Sequence, residues 1–106
     1  MSLTIDREKH LNVKDNEEII LTRKEFQILW LLCSVPGKVF SRQTIFQKIW
    51  GEKSKSNART IDVHLVSIRK KLGDDIFRTI KGVGYAITIE NITIKDFENP
   101  HSEKVP

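Results

Sequence analysis

The sequence predicts an α+β fold in which short strands come first, three helices follow, and a two-stranded hairpin comes last. Three observations predict it. Apolar and polar residues alternate near the N-terminus, three central segments carry apolar residues at helical spacing, and a glycine-containing turn separates two apolar runs after them. A chain of 106 residues is long enough for one domain with a single modest core.

The first 21 residues predict three or four short antiparallel strands with one face buried. Apolar side chains stand two residues apart in three places, at Leu3 and Ile5, Leu11 and Val13, and Ile19 and Leu21. This spacing places both members of each pair on one face of a strand. The polar residues 14–17 separate two of the strands as a turn.

The first helix is predicted to begin at a capping box. Thr22 is followed three residues later by Glu25, so the hydroxyl and the carboxylate can each accept from the other residue's backbone amide. The helix should end near Ser34, ahead of Pro36-Gly37. Its apolar residues occupy most of its circumference, which predicts a central helix packed on several sides.

Two more helices follow. Ser41 is the predicted cap of a helix over 42–50, whose apolar stripe is Ile45, Phe46, Ile49 and Trp50. A polar segment over 52–57 indicates a loop. The third helix runs to Leu72, and its buried stripe should be Ile61, Leu65, Ile68 and Leu72.

The last predicted element is a hairpin over about 76–89, with its turn at Gly82-Val83-Gly84, where both glycines permit positive φ. Three helices followed by such a hairpin describe a winged helix-turn-helix with an N-terminal antiparallel sheet. From Asn91 onward the sequence becomes polar. We therefore predict a domain over 1–90 and a polar C-terminal tail over 91–106 that extends a strand only briefly.

Composition indicates a soluble, intracellular protein, with the cytoplasm as its location. No apolar run reaches the length of about 18 residues that a membrane span needs. The single cysteine, Cys33, lies inside an apolar run, which predicts a buried and inert thiol. The net charge of +4 is uneven: residues 22–58 hold seven Lys or Arg against two Asp or Glu. Such clustering is typical of a surface that faces a polyanion.

The outer face of the third helix suggests what that polyanion is. An α-helix fits the major groove of B-DNA, and valine side chains such as Val63 or Val66 can touch a thymine methyl group. Ser67 can hydrogen-bond a base edge, and the basic residues 69–71 can reach phosphates. Asp62 is expected to pair with Arg59 or Arg69. From the helix alone, an ordinary solvated face remains an equal alternative.

Four segments in order resemble the C-terminal effector domain of OmpR/PhoB-type bacterial response regulators. They are LTRKEFQILWLL, PGKVFSRQTIFQKIWG, RTIDVHLVSIRKKLG and FRTIKGVGYAI, and the resemblance spans about residues 3–89. It implies a four-stranded N-terminal sheet, three helices and a hairpin. It also implies sequence-specific binding to double-stranded DNA, with the helix over about 58–72 in the major groove and the hairpin in the minor groove.

The resemblance assigns roles to individual positions. It implies phosphate contacts at the start of the second and third helices, base contacts at the middle of the third, and backbone contacts near its end. It also implies that the hairpin, or wing, contacts the minor groove. The implied DNA-binding residues are Arg42, Arg59, Thr60, Val63, Val66, Ser67, Arg69, Lys70, Thr79 and Lys81. Some relatives carry arginines where Val66 and Ser67 stand here, so thymine methyl contact is more plausible than guanine readout.

The resemblance also implies partners. Relatives use the loop before the third helix to touch RNA polymerase, which corresponds here to Trp50, Gly51, Glu52, Lys53, Ser54 and Lys55. It further implies direct-repeat half-sites, a dimer on DNA, a receiver domain and a sensor kinase. No receiver domain fits into 106 residues. We expect an excised domain whose opening Met-Ser-Leu is a cloning remnant, with a natural stand-alone protein as the alternative.

Other functional classes are less consistent with the sequence. His10, His64 and His101 lack neighbouring ligands at metal-binding spacing, so no metal, cofactor or catalysis is expected. His64 should be a partly buried packing or hydrogen-bonding residue. The main alternative is a winged-helix module that binds proteins without reading DNA, and salt-sensitive DNA binding would distinguish the two.

Overall fold

The computed structural model describes residues 2–51, 58–89 and 91–95. The elements follow the predicted order of strands, helices and hairpin, with one strand added at the end. They are β1 (Ser2–Asp6), β2 (Leu11–Lys14), β3 (Glu17–Ile19), α1 (Arg23–Ser34), α2 (Arg42–Trp50), α3 (Ala58–Leu72), β4 (Phe77–Ile80), β5 (Gly84–Ile87) and β6 (Asn91–Lys95).

The N-terminal strands form a mixed sheet with β6. The strand order is β3-β2-β1-β6, in which β2 pairs with both neighbours antiparallel and β1 pairs with β6 parallel. In the β1–β6 register Leu3 lies opposite Ile92 and Ile5 opposite Ile94. The four-stranded sheet implied by the resemblance is therefore present, but its fourth strand comes from the C-terminal part of the chain.

The predicted boundary between domain and tail at residue 90 falls just before the last strand of this sheet. Asn91–Lys95, in which the sequence predicts a brief strand at the start of the polar tail, is part of the main sheet. The physical reason is the alternation of Ile92 and Ile94 with polar residues, which gives β6 one apolar face against the core. β6 also pairs the outer edge of β1, whose backbone groups would otherwise lack partners.

α1 is the central helix, as predicted. Thr22 and Glu25 form the complete capping box, with the Glu25 amide 3.2 Å from the Thr22 hydroxyl and the Thr22 amide 2.9 Å from the Glu25 carboxylate. Buried residues face several directions around the helix. Cys33 is among them, and burial raises the pKa of its thiol to about 12, in agreement with the predicted inert cysteine.

α2 and α3 pack against α1 and against each other. The Ser41 hydroxyl caps α2 by accepting from the Thr44 amide at 3.0 Å, as predicted. The predicted stripe of α3 is correct, because Ile61, Leu65, Ile68 and Leu72 are all 2% exposed or less. Across the described parts of the chain, no helix has the length and apolar character that a membrane crossing requires.

The two wing glycines have different roles. Gly82 adopts φ +77°, the left-handed conformation that the turn was predicted to need. Gly84 does not have a positive φ, so the prediction for it was wrong. A Cβ atom on Gly84 would lie only 2.0 Å from the carbonyl oxygen of Phe40, because Phe40 and Tyr85 form a two-way backbone bridge at this point. Gly84 is required for close backbone approach.

Candidate nucleic-acid interface

α3 presents a mixed apolar and basic outer surface. Val63 is 67% exposed and Val66 is 50% exposed, so two neighbouring valines face outward on a helix whose opposite face is buried. Arg59 and Lys70 are also exposed, near the two ends of the same helix. Thr60, at the first turn, is half-buried. The predicted outer face of α3 is thus largely the observed one.

A polar network joins α2, α3 and the wing. Nη1 of Arg42 lies 2.9 Å from one carboxylate oxygen of Asp62, and the Tyr85 hydroxyl donates to the other oxygen at 2.7 Å. The prediction that Asp62 pairs with Arg59 or Arg69 was wrong, since its observed partners come from elements distant in sequence. The network holds Arg42 beside the outer face of α3.

Burial and the neighbouring carboxylate keep Tyr85 protonated. Burial of the phenol, then the hydrogen bond to Asp62 and the charge of that carboxylate, raise the pKa of Tyr85 to about 12. The hydroxyl therefore remains a donor to Asp62 throughout the neutral pH range. Asp62 is consequently held by one neutral donor and one cation.

A second polar cluster lies around Glu25, which is 3% exposed. Its carboxylate accepts from the Lys71 ammonium at 2.6 Å, from the Thr22 amide, and from the Ser67 hydroxyl. Burial alone would raise the pKa of Glu25. The hydrogen bonds from Lys71, Ser67 and Thr22, together with the charge of Lys71, outweigh burial and hold that pKa below its ordinary value.

The Glu25 cluster changes the expected roles of two α3 residues. The sequence placed Ser67 toward bases and Lys71 toward phosphate. In the structure the Ser67 hydroxyl points at a buried carboxylate, and Lys71 forms an ion pair with that same group. Ser67 is half-buried, and its hydroxyl is engaged by that carboxylate.

Arg69 connects α3 to the wing. Its guanidinium donates to the Phe77 carbonyl at 3.2 Å and to the Thr79 hydroxyl at 2.9 Å, and it lies over the Phe77 ring at 4.7 Å from the centroid. The guanidinium of Arg69, for which a phosphate contact is predicted, is directed inward onto the hairpin. Thr79 is exposed, although its hydroxyl is engaged by Arg69.

The wing turn carries the remaining predicted DNA contact. Lys81 is exposed at the end of β4, beside Gly82 and the 56% exposed Val83. Between this turn and the first turn of α2 lies a cleft of about 460 Å³, whose walls include Arg42, Asp62 and Lys81. The structure therefore brings Arg42 of α2 and Thr79 and Lys81 of the wing around one cleft, into which α3 contributes Asp62.

Trp50 has a packing role at the end of α2. Its ring stacks on Phe46 at a centroid distance of 4.9 Å and meets the His64 ring edge-on at 5.3 Å. His64 is half-buried and its Nδ1 lies 2.8 Å from the Thr60 carbonyl, which agrees with its predicted packing role. Gly51 is exposed next to Trp50. The other predicted polymerase-contact residues, Glu52, Lys53, Ser54 and Lys55, lie outside the described residues.

Sequence reasoning missed the parts of the site that depend on distant residues. The sequence pattern indicates only a strand position for Tyr85 and only a capping role for Glu25. The one available signal was the buried position of Glu25 on a helix that is apolar nearly all round, which implies that its charge is compensated. Among the residues described, no cluster of His, Cys, Asp and Glu is arranged to hold a metal ion.

Known proteins show which family the chain is similar to. Residues 16–87 match the family model described as "Transcriptional regulatory protein, C terminal". The chain is 41% identical over 88 residues to the transcriptional regulatory protein HprR of Escherichia coli (strain K12), covering 79% of this chain and 40% of that protein. The chain spans about two fifths of the length of the curated relatives it matches.

Solved structures agree in fold. The DNA-binding domain of Bacillus subtilis CssR superposes with a TM-score of 0.75 at 30% identity, covering 82% of this chain and all of that one. The DNA-binding domain of Klebsiella pneumoniae RstA, in complex with the RstA box, gives a TM-score of 0.75 at 27% identity, covering 83% and 92%. The predicted winged-helix fold is confirmed by these likenesses.

Proposed function

Since the chain belongs to the family of transcriptional regulatory protein C-terminal domains, we propose that it binds double-stranded DNA sequence-specifically as the effector domain of a bacterial two-component regulator. The resemblance to OmpR/PhoB-type regulators is confirmed by this membership and by the relatives described above. The family is one of regulatory domains, so the prediction that the chain is not an enzyme is confirmed as well.

The observation that carries the proposal is that Arg42 is bound to Asp62 of α3 and that both line one cleft with the wing turn. α3 (Ala58–Leu72) would enter the major groove with Val63 and Val66 toward the base edges. Arg42 would contact the backbone beside it, already positioned by Asp62 and Tyr85. Lys81 would follow in the minor groove.

Residues at the two ends of α3 would hold the phosphates. Arg59 and Thr60 lie in the first turn, where backbone amides and the positive end of the helix dipole favour an anion. Lys70 lies in the last turn and is exposed. Arg69 and Ser67 would act indirectly. Arg69 would fix the wing against α3, and Ser67 would fix α1 against α3.

The wider setting is proposed from the relatives. A parent protein would carry a receiver domain controlled by a sensor kinase, and pairs of domains would occupy direct-repeat half-sites as a dimer on DNA. The segment from Trp50 to Lys55 would contact RNA polymerase, and the protein would act in the cytoplasm. The relatives' lengths, of which this chain spans about two fifths, leave room for such a receiver.

Site selection from a random DNA pool tests the proposal. The purified domain is incubated with the pool and competitor DNA at two salt concentrations. Enrichment of a repeated short motif, with affinity that falls steeply as salt rises, is the expected result. Absence of binding at both salt concentrations would instead support the protein-binding module.

Substitution of Arg59 tests the phosphate contacts. Arg59→Ala should weaken binding by a similar factor on every DNA sequence and reduce the slope of log affinity against log salt by about 1. Lys9→Ala, in an exposed turn of the N-terminal sheet, is the charge-matched control and should leave the slope unchanged. Loss of sequence preference in Arg59→Ala would contradict the assigned role.

A further inference from the structure

We propose that this domain selects its DNA site through the methyl groups of thymine, which Val63 and Val66 contact in the major groove. This inference rests on the proposed DNA-binding function and specifies the chemistry that the reading face recognises. It concerns the centre of α3, where side-chain chemistry decides which base pairs fit.

The two valines form one small apolar surface. They stand three residues apart on a helix, a spacing that makes their side chains neighbours on one face. They are 67% and 50% exposed, and with Ser67 and Lys70 they border a shallow hollow of about 300 Å³. A surface of this size is too small for a protein interface. It is large enough to contact a single apolar group of a ligand.

The polar side chains adjoining these valines are held by partners inside the protein. Asp62, next to Val63, accepts from Arg42 and Tyr85. Ser67, next to Val66, donates to the buried carboxylate of Glu25. The centre of the reading face therefore offers methyl groups where hydrogen-bonding groups would otherwise reach base edges.

The charges around the valines favour DNA as the occupant. Lys70 is exposed one turn after Val66, and Arg42 is held beside the opposite end of the valine pair through Asp62. Cations on both sides can hold phosphates while the apolar centre faces the groove. In the major groove the one apolar group on a base edge is the C5 methyl of thymine, so valine contact selects T·A pairs.

The test uses the site recovered by selection and replaces each thymine in turn by deoxyuridine. Uracil pairs as thymine does but lacks the C5 methyl group, so hydrogen bonding to the base edge is unchanged. Removing one buried methyl group should weaken binding by about fourfold at each contacted thymine. We expect such a loss at one or two positions per half-site, measured as Kd at constant salt.

Variants assign the effect to the valines. Val66→Ala and Val63→Ala should each abolish most of the uracil penalty at one thymine position while leaving the other position sensitive. Val83→Ala is the matched control, because the wing would lie in the minor groove, where the thymine methyl is not displayed. Val83→Ala should keep the full uracil penalty. All three valines are exposed, and urea unfolding checks that the fold is retained.

The outcomes separate this inference from the function on which it rests. Specific binding that is indifferent to uracil at every position would overturn methyl recognition and leave the DNA-binding function standing. A uracil penalty that persists in both Val63→Ala and Val66→Ala would also overturn it. Failure to recover any specific site would overturn the proposed function and this inference together.

Discussion

Glu25 shows how one residue serves both a local and a long-range purpose. It completes the capping box of α1 and accepts from Ser67 and Lys71 of α3, which are 42 and 46 residues away. A buried carboxylate is costly without partners, so these donors are what make its burial tolerable. The Ser67 hydroxyl and the Lys71 ammonium are thereby engaged within the protein rather than directed to the surface proposed to face DNA.

The lowered pKa of Glu25 leads to a pH-dependent prediction. Its ionised form stabilises the folded state above the unfolded value of 4.5, and this stabilisation is lost as pH falls through the lower folded value. Glu25→Gln keeps a capping acceptor but removes the charge. We expect it to be less stable than wild type by about 1 kcal/mol at pH 7, with the difference vanishing in acid.

Urea unfolding across pH 2.5–7 measures this difference in the free energy of unfolding. Its expected size is roughly that of one ion pair. Asp15→Asn, in an exposed turn, serves as a control for the general loss of one negative charge. A constant gap between wild type and Glu25→Gln at every pH would contradict the ionic role of Glu25.

At the scale of elements, the wing is attached to the rest of the domain through contacts that the hairpin sequence alone does not reveal. Arg69 ties its first strand to α3, Tyr85 ties its second strand to Asp62, and the Phe40 backbone pairs with Tyr85. Gly84 makes the last contact possible because any side chain there would collide with the Phe40 carbonyl.

Two glycine variants test this attachment. Gly84→Ala should destabilise the domain by about 3 kcal/mol, since its Cβ would meet backbone atoms that cannot move aside easily. Gly82→Ala meets no atom within 4 Å, so only its φ of +77° opposes the substitution, at about 1 kcal/mol. Thermal unfolding of both variants gives the comparison. A larger loss for Gly82→Ala would show that turn conformation, rather than close approach, governs the wing.

At the scale of the whole molecule, β6 closes the N-terminal sheet with a strand from the far end of the chain. Its parallel pairing with β1 places both ends of the described chain in one sheet, with Ile92 and Ile94 packed against the core. The strand is therefore a part of the fold, although only two of its five residues, Ile92 and Ile94, are apolar.

Substitutions within β6 measure how much it contributes. Ile94→Ala should cost about 1–2 kcal/mol, less than a fully buried isoleucine because the side chain is half-buried. Thr93→Ala, on the exposed face of the same strand, should change stability by less than about 0.5 kcal/mol. Equal and negligible effects in urea unfolding would mean that β6 adds nothing to the stability of the domain.

The sequence by itself determined the elements whose signals are local. Helix caps, stripes at helical spacing and glycine turns act over a few residues, and they were sufficient to predict α1, α2, α3 and the wing. They also predicted which face of α3 is buried, because apolar residues at helical spacing all lie on one face of a helix.

Only the tertiary structure decided the partners of Asp62, Ser67 and Arg69 and the place of β6. Each depends on residues brought together by folding, and side chains on a half-exposed face can turn either outward or toward a neighbour. Such partners are stabilising in each case. Donors compensate the buried carboxylate of Glu25, the Arg69 cation lies over the Phe77 ring, and β6 pairs the open edge of β1. The same packing turned polar groups inward and left Val63 and Val66 exposed at the centre of the outer face of α3.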